Sequence, residues 1–94
     1  MEPVNYTRLS MQERRVIRLE YVIAQDNKCA HCNMPLDEPA AAEITAKSIN
    51  WDLFPGGVHF LDYPVHLDHN HDTGMTRGAV HAYCNAVMWQ YYGM

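Results

Sequence analysis

The sequence predicts a small α+β domain, with a helix near the N-terminus, an antiparallel hairpin, and a closing helix. Three observations predict it. Ser10 followed by Glu13 has the spacing of a helix-capping box ahead of an apolar run. Val65 to His69 and Thr76 to Val80 are strand-like and flank the turn-forming residues Asp72-Thr73-Gly74. Ala82 to Tyr92 meets no breaker until Gly93, as a helix requires.

The first helix is expected from about Met11 to Gln25, stopped by Asp26-Asn27 just before Cys29. Within it, Val16, Leu19 and Ile23 fall on one apolar stripe, with Arg14, Arg15 and Arg18 mostly off it. A short helix is expected to start at Asp37-Glu38-Pro39 and run through Ala40, Ala41, Ala42 and Ile44, because Pro is tolerated in a first turn. Phe54-Pro55-Gly56-Gly57 reads as a turn, and Val58-His59-Phe60 as a strand-like piece ahead of Asp62-Tyr63-Pro64. In Pro35 to Tyr63, Lys47, Trp51 and Phe54 read as packing residues, with a nucleic-acid-contact loop as the other reading.

The chain is 94 residues with 48% hydrophobic residues, enough for one domain and no more. It has no apolar run of the ~18 residues that a membrane span needs, and Met1 to Asn5 does not open a secretory signal. Seven Lys+Arg against 11 Asp+Glu give a net charge of −4, which argues against nucleic-acid binding by bulk electrostatics. It leaves open a protein that supplies metal ions at the contact. Residues 1–28 hold five basic and four acidic side chains, so Arg14, Arg15 and Arg18 are the one candidate phosphate track; a solvated helix face is the other reading. A domain this short often needs a staple. Three cysteines without a secretory signal suit a metal site in a reducing cytoplasm better than a disulfide framework.

Cys29-Ala30-His31-Cys32 is C-x₂-C, and His81-Ala82-Tyr83-Cys84 is H-x₂-C. Together they supply the Cys₃His set of a closed, tetrahedral, structural zinc site. Two intervening residues let a tight knuckle turn Cys29 and Cys32 toward one ion, while His81 and Cys84 share a face of the first helical turn. His31 lies inside the knuckle and is expected to face solvent. The plainer alternative makes the cysteines small buried hydrophobes.

A second cluster surrounds Asp68-His69-Asn70-His71. Neighbours on a strand point to opposite faces, so a turn or bulge is needed to bring Asp68 and His69 to one site. Asn85 lies about 100° around the helix from Cys84, so it can face the hairpin while Cys84 faces zinc. An Asp and an Asn oxygen suit a hard ion such as Mg²⁺, and an adjacent imidazole suits a base near neutral pH. The same residues also read as a polar turn with solvated histidines.

Leu67 to Asn85, Leu-Asp-His-Asn-His-Asp-Thr-Gly-Met-Thr-Arg-Gly-Ala-Val-His-Ala-Tyr-Cys-Asn, resembles the phage recombination endonuclease VII family. Those proteins are HNH, or His-Me finger (ββα-metal), nucleases with the signature D-H-x-H…T-G…R-G-x-x-C-x-x-C-N. Val22 to Cys32 also resembles the family's helix and first zinc knuckle. The resemblance implies a zinc-stapled ββα-metal fold with an N-terminal region (1–28), a knuckle (29–34), a variable insertion (35–64) and a ββα core (65–92). It implies Asp68 and Asn85 as ligands of a catalytic Mg²⁺ or Mn²⁺, and His69 as the general base, its other ring nitrogen held by a carbonyl or an amide. His71 then orients phosphate or water. His81 stands where the family usually has its third zinc cysteine. Arg77 matches the family arginine, which meets phosphate or locks the hairpin. His66 shares a strand face with Asp68, either as its supporting partner or as an ordinary strand residue.

The implied activity is metal-dependent nicking of DNA in the cytoplasm, that of the host for a phage protein, with a protein partner or homodimer left open. The chain ends at Met94, so the resemblance does not extend to the C-terminal helices that build the family's junction-resolving dimer. The rival reading is a non-catalytic, zinc-stabilised binding module acting as an adaptor or inhibitor, which the acidic charge favours.

Overall fold

Ser10 starts the first helix as its spacing to Glu13 dictates. Its hydroxyl accepts from the Glu13 N–H at 3.1 Å, and its own N–H donates to the Glu13 carboxylate at 2.9 Å. The computed structural model describes residues 1–93, and this helix, α1, spans Met11–Ala24. It stops where expected, because Asp26 and Asn27 take left-handed backbone conformations with φ of 55° and 59°.

The apolar stripe of α1 is not its packed face. Val16, Leu19 and Ile23 are 54%, 55% and 79% exposed, whereas Tyr21 is buried and Ile17 half-buried. Polar contacts set the rotation of the helix. The Tyr21 hydroxyl lies 2.8 Å from Thr76 Oγ1, and Gln25 acts as a clip on a strand. Its Oε1 accepts from the Ala79 N–H at 2.9 Å, and its Nε2 donates to the Ala79 carbonyl at 2.9 Å. Gly78 permits this approach, since a Cβ there would sit 2.9 Å from Gln25 Oε1.

A four-residue helix, α2 (Ala42–Thr45), begins later than Asp37-Glu38-Pro39. Those residues close the knuckle instead: the Leu36 N–H donates to the Asn27 carbonyl at 2.8 Å and Asn27 Nδ2 to Asp37 at 3.0 Å. The expected strand at Val58-His59-Phe60 is also replaced, by a 3₁₀ helix over Gly57–Leu61. Gly56 and Gly57, with φ of 74° and 59°, coil the chain, and the His59 N–H closes onto the Gly56 carbonyl at 3.2 Å. Phe54 is buried, and Trp51 packs between Phe54 and Tyr83, which answers the packing reading of this segment.

The sheet has two antiparallel strands, β1 (Val65–His69) and β2 (Thr76–His81). Val65 pairs with His81 and Asp68 with Gly78, but His69 pairs with Thr76, so Arg77 is the extra residue of a bulge. Helix α3 (Ala82–Tyr92) follows β2 without a loop and ends at Gly93, whose φ is 65°. Leu67, Ala79, Val80, Val87 and Met88 form the core between the hairpin and α3, joined by Tyr21 from α1 and Ile44 from α2. Among the described residues no helix is long and apolar enough to cross a membrane.

Candidate metal cluster and cleft

The knuckle forms because Asn33, with φ of 66°, lets the Cys29 N–H reach the Met34 carbonyl at 2.9 Å and Asn33 N–H the Cys29 carbonyl at 3.0 Å. The Ala30 N–H donates to the Ala79 carbonyl at 3.0 Å, which brings the knuckle beside the start of α3. Cys29, Cys32, His81 and Cys84 meet there, with ligating atoms all within 4.8 Å of one another. His81 Nδ1 lies 3.4 Å from Cys32 Sγ and 3.7 Å from Cys84 Sγ. His81 Nε2 faces the carbonyls of Pro35 and Glu38, each at 2.9 Å. Its proton therefore sits on Nε2, leaving the Nδ1 lone pair toward the thiols.

The cysteines are tuned by one another. The Cys84 thiol hydrogen bond holds Cys29 down at about 4 despite burial, helped by the backbone at Cys32, His81 and His31. Cys84, as donor to Cys29 and buried, is pushed far above the ordinary thiol range. A thiolate beside two more sulfurs and an imidazole can hold one tetrahedral ion, and the set has the chemistry of zinc. His31 is exposed and outside the cluster, as expected.

A cleft of about 410 Å³ opens along β1, and none of the four cluster residues lines it. Its lining includes His66, Asp68 and His69 from β1, His71 from the turn, and Asn85 and Trp89 from α3. Arg14, Arg15 and Arg18 come from α1, and Phe60 and Tyr63 from the segment before β1. Asp68, His69, His71 and Asn85 thus share one cavity, with the register break falling between Asp68 and His69.

Asp68 is buried and accepts from Arg77 Nε at 3.0 Å and from an Arg77 terminal nitrogen at 3.0 Å. Arg77 therefore locks the hairpin by this paired contact. Each carboxylate oxygen keeps a second lone pair for another partner. Asn85 Nδ2 donates to His66 Nδ1 at 3.1 Å, so His66 supports Asn85 rather than Asp68. That bond fixes the amide, and Asn85 Oδ1 is buried without a hydrogen-bond partner among the described residues. A buried amide oxygen of this kind fits a hard cation, and so does Asp68, although the Arg77 charge opposes it there.

Burial holds His69 below its ordinary value; His71, Arg77 and Arg14 add to this while Asp68 opposes it. Burial likewise lowers His66, with Arg18 adding and the backbone at Phe60 and Tyr63 opposing. Both are then neutral imidazoles at neutral pH. The His69 ring makes no hydrogen bond to a carbonyl or amide among the described residues, against expectation. It stacks on Tyr6 instead, with ring centroids 3.9 Å apart and planes 8° from parallel. Arg14 caps the same Tyr6 at 3.9 Å from its centroid, so its guanidinium is engaged, while Arg15 is exposed and Arg18 half-buried at the cleft. Sequence reasoning missed Tyr6, because no local pattern couples it to His69.

The family model described as recombination endonuclease VII matches residues 61–92, about a third of the chain. The matched stretch holds Asp68, His69, His71, Arg77, His81, Cys84 and Asn85. Comparisons with curated proteins and with solved structures gave no significant match.

Proposed function

We propose, from the match of residues 61–92 to recombination endonuclease VII, that this chain is a metal-dependent endonuclease of the HNH type that nicks DNA. The observation that carries the reading is the single cleft onto which Asp68, His69 and Asn85 all open.

Asp68 and Asn85 would hold Mg²⁺ or Mn²⁺, which when bound neutralises charge developing on the phosphate and the leaving oxygen. His69, kept neutral by its surroundings, accepts the proton of the attacking water. His66 holds the Asn85 amide with its oxygen free. His71, 4.7 Å from His69 between ring centroids, would orient the phosphate or the water. Arg15 and Arg18 give the cleft its positive edge for the DNA backbone. Cys29, Cys32, His81 and Cys84 bind a structural zinc, which has no open position for chemistry.

The paired hold of Arg77 on Asp68 favours one second reading, a zinc-stabilised binding module whose cleft carries no hydrolytic ion. Incubating zinc-loaded protein with supercoiled plasmid and Mg²⁺ or Mn²⁺ separates the two. Open-circle product is expected from the nuclease, and none from the module.

A further inference from the structure

The N-terminal residues are strapped across the hairpin turn, on the side where His69 lies. The Val4 N–H donates to Thr76 Oγ1 at 2.9 Å, and the Thr76 N–H donates to the Val4 carbonyl at 2.8 Å. Asn5 bridges Met75, and the Tyr6 N–H donates to the Gly74 carbonyl at 2.8 Å. The strap lies so close that a Cβ on Gly74, where φ is 76°, would sit 3.0 Å from Asn5 Oδ1. Tyr6 then opens a one-turn 3₁₀ helix, Tyr6–Arg8, capped by the Asn5 side chain.

This anchoring delivers one ring. Tyr6 lies flat on His69, 3.9 Å between centroids and 8° between planes. Arg14 secures it, with its guanidinium carbon 3.9 Å from the ring centroid and its Nε and a terminal nitrogen 3.3 and 3.2 Å from the Tyr6 carbonyl oxygen. A general-base histidine usually has its ring plane set by a hydrogen bond at the second nitrogen. His69 makes none among the described residues. Its ring lies flat on Tyr6, with the His71 ring 4.7 Å away and tilted by 51°, so the parallel stack on Tyr6 is the closer of the two ring contacts and the one that matches its plane.

We propose that Tyr6 is the positioning residue for His69, the strap and Arg14 holding the phenol ring so that it fixes the orientation of the imidazole in the cleft. The role rests on the reading of His69 as the base. It comes from a segment outside residues 61–92. The hydroxyl is not needed for it, since the contact is made by the ring face. An apolar, non-planar side chain cannot replace it.

The test uses the zinc-loaded full chain as wild type, Tyr6→Phe and Tyr6→Leu. In wild type, proton NMR should show nuclear Overhauser contacts between the Tyr6 and His69 rings, with His69 ring protons shifted upfield by the aromatic face. Tyr6→Phe should keep the upfield shift and the wild-type kcat. Tyr6→Leu should lose the shift and fall in kcat by about 10²-fold, the scale of a misplaced reacting group, at unchanged KM. The wild-type spectrum needs no variant to fold, and absence of the ring contact there overturns the proposal. So does wild-type kcat in Tyr6→Leu, or a loss confined to KM. A wild type that shows the ring contact but nicks no DNA overturns the reading of His69 as a base, and the role of Tyr6 with it.

Discussion

Arg77 grips Asp68 with two hydrogen bonds of 3.0 Å each, from the bulge position of β2 to the strand end of β1. The carboxylate is almost fully buried while the guanidinium keeps about a quarter of its surface in water, 7% against 28%. Removing the arginine therefore strands a buried charge rather than breaking a surface pair. Arg77→Ala should lower stability by about 1.5–3 kcal/mol, the scale of a hydrogen bond to a charged group. Arg77→Lys should recover only part, because an ammonium cannot make the paired contact. Urea denaturation of zinc-loaded protein measures both, and an unchanged midpoint for Arg77→Ala would contradict the locking role.

The Cys₃His cluster joins segments far apart in the chain, Cys29 and Cys32 to His81 and Cys84. Structural zinc contributes ~10–16 kcal/mol in small zinc-finger peptides, well above what a core of this size supplies. One zinc per chain should co-purify, and Cys32→Ser or Cys84→Ser should leave little soluble folded protein. Metal analysis and circular dichroism check this. A metal-free protein with both substitutions and full native structure would contradict a structural zinc at these four residues.

DNA binding should be weak and salt-sensitive, since few cations serve a chain of net charge −4. Arg15→Ala with Arg18→Ala should reduce the slope of log affinity against log salt by about 0.9 for each phosphate no longer neutralised. Arg14→Ala should act differently, loosening Tyr6 and changing cleavage more than binding. Fluorescence anisotropy across a salt series distinguishes these. Tight binding that ignores salt would contradict the cleft as the contact face.

Both cleft histidines sit below the ordinary 6.5, chiefly through burial. A base works as the neutral ring, so the rate should hold its plateau through neutrality and bend down only below pH 6.5. For stability the sign is the same. The unfolded chain takes up these protons at higher pH than the native one, so stability is full above the unfolded value and is lost as pH falls through the folded ones. Protonated His66 also cannot accept from Asn85 Nδ2. His66→Phe should flatten the acid side of the melting-temperature profile relative to wild type, and an identical profile would contradict the assigned cause.

The elements that could be read from sequence are those with local signals. Ser10 and Glu13 cap α1 within one turn, and the hairpin and α3 follow from alternation and an unbroken run. The meeting of Cys29, Cys32, His81 and Cys84 is equally legible, because each half of the cluster is set within three residues. Misreadings arose where distant polar contacts decide. Tyr21 to Thr76 and Gln25 to Ala79 rotate α1 so that Val16, Leu19 and Ile23 face outward, which hydrophobic periodicity cannot register. Val58 to Phe60 has strand-like residues, yet two left-handed glycines coil it. The contact of Tyr6 with His69 joins the chain start to the hairpin and leaves no mark in either local sequence.

Plasmid nicking by zinc-loaded wild type beside His69→Ala, with Mg²⁺ or Mn²⁺ raised stepwise, is the most direct measurement of all. Wild type should nick, and His69→Ala should fall by about 10²–10⁴-fold with zinc content and melting temperature near wild type. Added metal should partly restore Asp68→Ala and Asn85→Ala but not His69→Ala, because an ion cannot replace a missing proton acceptor. Full activity in His69→Ala, or cleavage by wild type without any added divalent ion, would contradict the assignment of His69 as the base of a metal-dependent nuclease.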